Sequence, residues 1–228
     1  MLGPEFGVVA VKLSDKRLLP LILPLGDSAI LVRFADRLDD TANRAAIALA
    51  RALEAEPVSG VVEIVPNLVS VLLRYNPEQA DPGAISGELR LRLSEPAKAA
   101  EPAESWAILT VFDGPDVESV AALLGLSPDD FVAAHNGMPL RVLATGFAPG
   151  FVYCGMHGAD LVVPRRASVR SSVAAGSILF AAGQTALTAT ELPTGWHVIG
   201  RTDFRNFDSM SASPTRLKAG DSVRFVTA

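Results

Sequence analysis

Residues 140–163 read LRVLATGFAPGFVYCGMHGADLVV, and this stretch decides what kind of fold the second half of the chain adopts. Its apolar runs are short, at 140–144 and 161–163, and Gly146, Pro149, Gly150, Gly155 and Gly158 stand between them. Further runs follow at 178–181, 196–199 and 223–226, again divided by glycines and prolines. A helix needs a longer periodic segment, whereas many short apolar runs separated by turn residues are the pattern of a β-barrel or sandwich. No long helix and no repeat of fixed period is expected from residue 140 onward.

Upstream of that stretch the pattern is mixed. In 116–124, Val117, Val120, Ala121 and Leu124 form a helical stripe, closed by Gly125 just past the end. Ser127-Pro128-Asp129-Asp130 opens a second helix with a capping serine, an acid three residues on and a proline in first position; it runs to His135 and stops at Asn136-Gly137. Residues 108–112 read as a strand. Before it, 94–105 (SEPAKAAEPAES) has no periodicity and the composition of a linker. The chain therefore divides into an N-terminal α/β domain at 18–95 and a C-terminal domain at 105–228. In the first, 21–25 and 29–34 form a hairpin about Gly26-Asp27-Ser28. Residues 41–55 form a helix capped from Asp39-Asp40-Thr41, and 61–65 pairs with 69–75 around Pro66-Asn67. Asp81-Pro82 opens another helix, although the alternation Leu89-Arg90-Leu91-Arg92-Leu93 also fits a strand. The expected class is α+β.

Composition excludes several functions. With 49% hydrophobic and 20% charged residues the chain can bury a core, unlike a disordered one. A mean hydropathy of +0.31 raises the membrane question. The richest stretch, 18–32, is broken by Pro20, Pro24 and Asp27, well short of the ~20 apolar residues a spanning helix needs. Lys16-Arg17 ahead of 18–25 resembles a signal peptide only superficially, because the apolar run holds two prolines and no small-residue cleavage site follows; it reads as a strand. The opening MLGPEF looks partly like a cloning scar and is left out of the fold. A net charge of −5, with no Lys/Arg cluster beyond pairs such as Arg165-Arg166, provides no footprint for nucleic acid. The single Cys154 rules out an internal disulfide and suits a cytoplasmic setting. His135, His157, His197 and Cys154 fall at no metal-ligand spacing.

No phosphate loop, dinucleotide fingerprint or nucleophile elbow is present. In Gly146-Phe147-Ala148-Pro149-Gly150-Phe151, Pro149-Gly150 suits the centre of a type II turn. The segment is either a tight loop pinned by its two phenylalanines or a rigid loop whose N–H groups face a ligand oxyanion. Arg165 and Arg166 are adjacent in an extended segment and point to opposite sides, so at most one reaches a given site. A guanidinium there suits a carboxylate or phosphate through two parallel hydrogen bonds. Gly183-Gln184-Thr185 resembles a turn, from which Gln184 can orient a substrate amide. His135 ends a helix, where the macrodipole favours its protonated form. His197 reads as projecting from a strand into solvent, His157 as a loop residue without a partner, and Cys154 as lacking the setting of a reactive thiolate.

Taken together, His135, GFAPGFVY (146–153), VPRRASVR (163–170), AAGSILFAAGQTALT (174–188), LPTGWHVIGRTDFRNFD (192–208) and LKAGDSVRFV (217–226), with LGDSAILVRF (25–34) at the front, resemble the family of 5-oxoprolinase B-type subunits (allophanate hydrolase subunit 1). The resemblance runs from about residue 20 to the end. It implies a small N-terminal α/β domain and a C-terminal cyclophilin-like β-barrel. It further implies a cytoplasmic subunit of an ATP-dependent lactam hydrolase, inactive alone, which opens 5-oxoproline to glutamate with a subunit 2/C-type partner and a third, A-type subunit. ATP is then the cofactor of the assembled complex, with no metal site in this chain. The family's pocket positions carry over to His135, Arg166 and Gln184 as catalytic residues and to Phe147, Pro149, Gly150, Phe151, Tyr153, Arg165 and Arg201 as substrate-binding residues. The expectation is that Arg166 and Gln184 share one pocket of the barrel, with His135 near its rim. Other activities known in the family are an allophanate hydrolase or urea carboxylase-type carboxyltransferase subunit and an inhibitor of a sensor histidine kinase. Cys154, where the family usually has leucine, and the acidic turn Thr188-Ala189-Thr190-Glu191 depart from its pattern.

Overall fold

The computed structural model describes residues 20–94 and 104–228; the greater part of the expected linker, 95–103, lies outside the described residues. In the first part, β1 (Leu21–Leu25), β2 (Ala29–Arg33), β3 (Val61–Pro66) and β4 (Ser70–Tyr75) form an antiparallel sheet in the order β1-β2-β4-β3. Ile30, Val32, Val71 and Leu73 alternate onto one face. There they pack with Ala42, Ala46, Leu49 and Leu53 of α1 (Asp40–Ala55) and with Ile85 and Leu89 of α2 (Pro82–Ser94). Asp39 caps α1 by accepting from the Ala42 N–H, and Asp81 does the same for α2 toward Gly83 and Ala84. The helical reading of 82–94 holds over its alternation because Ile85 and Leu89, one turn apart, are both buried while Leu91 is exposed.

In the second part, β5 (Ser105–Thr110) is followed by α3 (Val117–Leu124) and α4 (Pro128–His135). Gly125 is left-handed at the end of α3 (φ +70°), and Ser127 accepts from the Asp130 N–H at the start of α4, as their sequences require. The strands β6 (Leu140–Thr145), β7 (Val152–Gly155), β9 (Ser177–Ala181), β10 (Gln184–Leu187), β12 (His197–Arg201) and β13 (Ser222–Thr227) complete a seven-stranded sheet in the order β12-β9-β10-β7-β6-β13-β5. β8 (Arg170–Val173) pairs separately with β11 (Leu192–Thr194).

The large sheet curls until its two edges meet. Val111, just past β5, exchanges two 2.9 Å backbone hydrogen bonds with Arg201 at the end of β12. Glycines permit this approach: a Cβ on Gly200 would stand 2.5 Å from the Val111 carbonyl oxygen, and one on Gly114 2.3 Å from that of Val198. Strand alternation then divides the side chains. Val152, Cys154, Ile178, Phe180, Leu187, Ile199, Val223 and Phe225 face inward and are plugged by Val117, Val120, Ala121 and Phe131 of the two helices. Phe151, Leu179, Ala181, Ala186, Trp196 and Val198 form a second cluster on the outer face, completed by Val173 of β8 and Leu192 of β11.

The two parts meet through polar groups. Fully buried Asn43 of α1 donates to the carbonyls of Leu68 (2.7 Å) and Leu143 (2.8 Å) and accepts from Arg141, which also pairs with Asp40.

Candidate functional site

The outer face of the closed sheet carries a continuous line of rings. Phe147 and Phe151 have ring centres 5.5 Å apart, Phe151 and Tyr153 4.8 Å, and Tyr153 and Trp196 6.0 Å; the Arg165 guanidinium lies 5.8 Å from the Trp196 ring. Phe151 and Trp196 are buried, Tyr153 is half-buried, and Arg165 and Phe147 are exposed, the last at 74%. Ala181 and Ala186, both fully buried, belong to the same cluster.

The loop that presents Phe147 is held under tension. Phe147 has φ +81°, a conformation that costs a non-glycine residue roughly 1–3 kcal/mol and that occurs preferentially at functional sites. The turn beside it forms as its sequence predicts: the Phe151 N–H donates to Ala148 O (3.0 Å) across Pro149-Gly150, with Gly150 at φ +68°. A Cβ on Gly150 would lie 2.5 Å from Cβ of Phe207 and 2.7 Å from that of Ala189, and Asn206 donates to its carbonyl. The Gly146 N–H also bonds within the loop, donating to Phe151 O, and the loop presents the exposed Phe147 ring.

Gln184 shares this face. The turn of the β9–β10 hairpin is Ala182-Gly183, both at positive φ, so Gln184 is the first residue of β10 and not a turn residue. It stands opposite Ala181 and two residues before Ala186, the partner of Tyr153. It is 6% exposed, and its amide makes no hydrogen bond among the described residues. Such a group has donors and acceptors left for a ligand.

Arg165 and Arg166 diverge as expected. Arg165 lies over Trp196, whereas Arg166 Nη1 is 2.5 Å from Asp116 Oδ1, which also receives Arg170 Nη2 at 2.7 Å. Asp116 Oδ2 accepts from the Val198 N–H at 2.8 Å. Burial alone would raise this carboxyl, but the hydrogen bonds from Arg170 and Val198 and the charges of Arg170 and Arg166 outweigh it and hold Asp116 below the ordinary carboxylate range. The structure thus does not bring Arg166 to Gln184: the first is spent on Asp116, and the second lies on the outer face of β10, its Cγ beside Gly155. Arg201 sits at the seam of the closed sheet, paired with Asp113 at 3.0 Å beside a cavity of about 370 Å³ lined by Ala107, Leu109, Val111 and Phe204. That cavity offers apolar walls and an arginine already paired, so it is a weaker candidate than the ring line.

His135 is not at a rim. It is enclosed by Phe112, Phe131, Phe180 and Phe225 at ring-centre distances of 5.5–6.0 Å. Burial lowers its pKa to about 4 against the opposing pull of Asn136, so desolvation overrides the helix-end field and the ring is neutral. Its Nε2 and the Nε2 of His157 each lie 2.8 Å from Thr185 Oγ1, and His157 is lowered to about 3, by burial and then by His135. His157 therefore does have partners. Asn136 Oδ1, 2.8 Å from His135 Nδ1, assigns the tautomers. His135 Nδ1–H donates to Asn136, Thr185 O–H donates to His135 Nε2, and His157 Nε2–H donates to Thr185. His197 is buried on β12 instead of reaching solvent; its Nε2 donates to Pro164 O (3.0 Å). Cys154 faces inward, its thiol pushed up to about 12 by burial, which leaves it inert. No group of three or more His, Cys, Asp or Glu among the described residues is placed to hold a metal ion.

The sequence reading missed Trp196, Asp116 and Thr185. Asp116 showed only as a helix boundary. The period-two alternation of β10 would have separated Gln184 from Thr185 had the start of that strand been known.

Residues 20–217 match the family described as carboxyltransferase domain, subdomain C and D, and the chain belongs to that family. It is 33% identical to the B-type subunit of 5-oxoprolinase from Bacillus subtilis (strain 168) over 216 residues, covering 89% of this chain and 90% of the relative. It is 36% identical over 208 residues to the B-type subunit of 5-oxoprolinase from Escherichia coli O157:H7, covering 89% and 93%. The crystal structure of TTHA0988 superposes with a TM-score of 0.78 at 34% identity, over 88% of this chain; this chain spans only 40% of that protein.

Proposed function

We propose that this chain is the B-type subunit of an ATP-dependent 5-oxoprolinase, acting with a C-type partner and a third, A-type subunit to open 5-oxoproline to glutamate, and that the outer ring line receives the lactam. Relatives carrying that name match over about nine tenths of both chains, and that supports the complex. The observation that carries the site is the juxtaposition of a line of aromatic rings inclined 59–71° to one another, a guanidinium without a carboxylate partner among the described residues and a nearly buried free amide on one sheet face. A five-membered lactam bearing a carboxylate is complementary to all three: its ring to Tyr153 and Trp196, its carboxylate to Arg165, its amide to Gln184.

The reaction itself asks for activation of an amide oxygen by phosphorylation and then hydrolysis. Such chemistry depends on cations and donors arranged about developing charge more than on a nucleophilic side chain. The ring line offers one outward guanidinium, complementary to the single carboxylate of the lactam. ATP is assigned to the assembled complex, and this chain alone is inactive. The test is ADP release by the co-expressed complex with a panel of lactams. Gln184→Ala should leave assembly and melting unchanged while lowering kcat/KM for 5-oxoproline at least about tenfold, the scale expected when a buried polar contact to substrate is lost. Activity above half of the parent would remove the ring line from the active site, and glutamate production by the isolated chain would refute the division of labour.

A further inference from the structure

Resting on the reading of the ring line as the lactam site, we infer that Arg165, not Arg166, meets the anionic group of the ligand, and that Asp116 is the residue that positions it. Arg165 is exposed, lies on Trp196 at 5.8 Å and pairs with no carboxylate among the described residues. A guanidinium stacked on an aromatic face keeps the N–H groups of its edge free for a planar anion. Both of its chain neighbours are tied down. The Pro164 carbonyl accepts from His197 Nε2 at 3.0 Å, and the Arg166 N–H donates to Gly195 O at 2.8 Å.

The Arg166 side chain completes the hold, and it does so through Asp116. That carboxylate is 4% exposed and joins three elements. It lies at the N-cap of α3, where an aspartate ordinarily caps its own helix, yet its side chain makes no capping bond. Instead Oδ1 takes Arg166 and Arg170, Oδ2 takes the Val198 N–H, and the Asp116 N–H donates to Val198 O at 3.1 Å. Arg166 Nε and Arg170 Nε are buried without partners, so the two side chains hold these positions for the carboxylate despite unsatisfied donors. The result is a rigid base under residues 164–170, with one guanidinium bound inward and the next directed onto the ring line.

Two measurements test this. The first needs no ligand. Of the two tryptophans, Trp106→Phe leaves Trp196 as sole reporter, and quenching by iodide relative to neutral acrylamide reads the positive charge beside it. Arg165→Gln should lower the iodide-to-acrylamide ratio. Asp116→Asn should lower it too, although deleting a negative charge would by itself raise it, because the released loop takes Arg165 away from Trp196. An unchanged or raised ratio in Asp116→Asn overturns the positioning role whatever the substrate is. The second uses the assembled complex with 5-oxoproline and with 2-pyrrolidinone, the same ring without its carboxylate. Arg165→Gln and Asp116→Asn should each raise KM for 5-oxoproline at least about tenfold with little change in kcat and leave 2-pyrrolidinone binding unaltered, as expected when a charge-assisted contact is lost. Equal loss of both lactams in Asp116→Asn marks a purely structural role and overturns the inference. So does loss of discrimination in Arg166→Gln but not in Arg165→Gln. Failure of the parent complex to bind either lactam defeats the ring-line reading itself, a result the quenching ratio does not share.

Discussion

The neutral histidine pair inside the sheet makes stability depend on pH in a way that can be worked out. His135 is surrounded by four phenylalanine rings, His157 and the Thr185 hydroxyl, with no carboxylate in contact to balance a positive charge. Its folded pKa is about 4 against an ordinary 6.5. Below pH 6.5 the unfolded chain binds a proton that the folded chain refuses, so stability is full above 6.5 and falls as pH drops toward 4. At 1.36 kcal/mol per pKa unit, His135 alone removes about 2 kcal/mol between pH 7 and pH 5, and about 3 kcal/mol by pH 4. His157, lowered in the same direction, adds to this. Asp40 and Asp116, whose pKa values are lowered, lose their contribution only near and below pH 4, outside the pH 7–5 window. His135→Phe fills the aromatic cage with a neutral ring and deletes one titration, at the expense of leaving the Thr185 hydroxyl without its acceptor, roughly 1–3 kcal/mol at neutral pH. Urea unfolding at pH 7, 6 and 5 should show the variant less stable than the parent at pH 7, with the gap closing by about 2 kcal/mol at pH 5. Parallel pH curves for the two proteins would refute the assignment of a buried, neutral His135.

Gly200→Ala should weaken closure of the sheet, since its methyl group would meet the Val111 carbonyl at 2.5 Å; a loss of about 1–3 kcal/mol is expected, read as a lower melting temperature with near-normal far-UV circular dichroism. Asn43→Ala leaves the Leu68 and Leu143 carbonyls and Arg141 without their common partner and should cost about 2–4 kcal/mol by urea titration. Cys154 should resist a thiol reagent at pH 8 until the chain is unfolded, because its thiol is buried and its pKa raised to about 12; rapid labelling of the native protein would contradict the inward orientation of β7.

The features legible in the chain alone were those settled within a few residues of each other. The hairpin around Gly26, the caps of α1, α3 and α4, the Pro149-Gly150 turn and strands at the apolar runs 140–144, 178–181, 196–199 and 223–226 follow from local φ preferences, capping chemistry and alternation, and the structure shows them there. The run at 161–163 forms no strand; Leu161 and Val163 are buried in the core from a loop. The divergence of Arg165 and Arg166 was legible for the same reason, since neighbours in an extended segment point apart. Tertiary structure alone decided the rest. Val111 meets Arg201 to close the sheet, Asp116 captures Arg166, and Thr185 bridges His135 and His157, pairings between residues far apart in the chain and marked by no local pattern. It also reversed the expected charge of His135. The field of a helix end is a local property of α4, but the desolvation that overrides it comes from rings on β5's extension, β9 and β13 as well as α4, and no segment of sequence contains that environment.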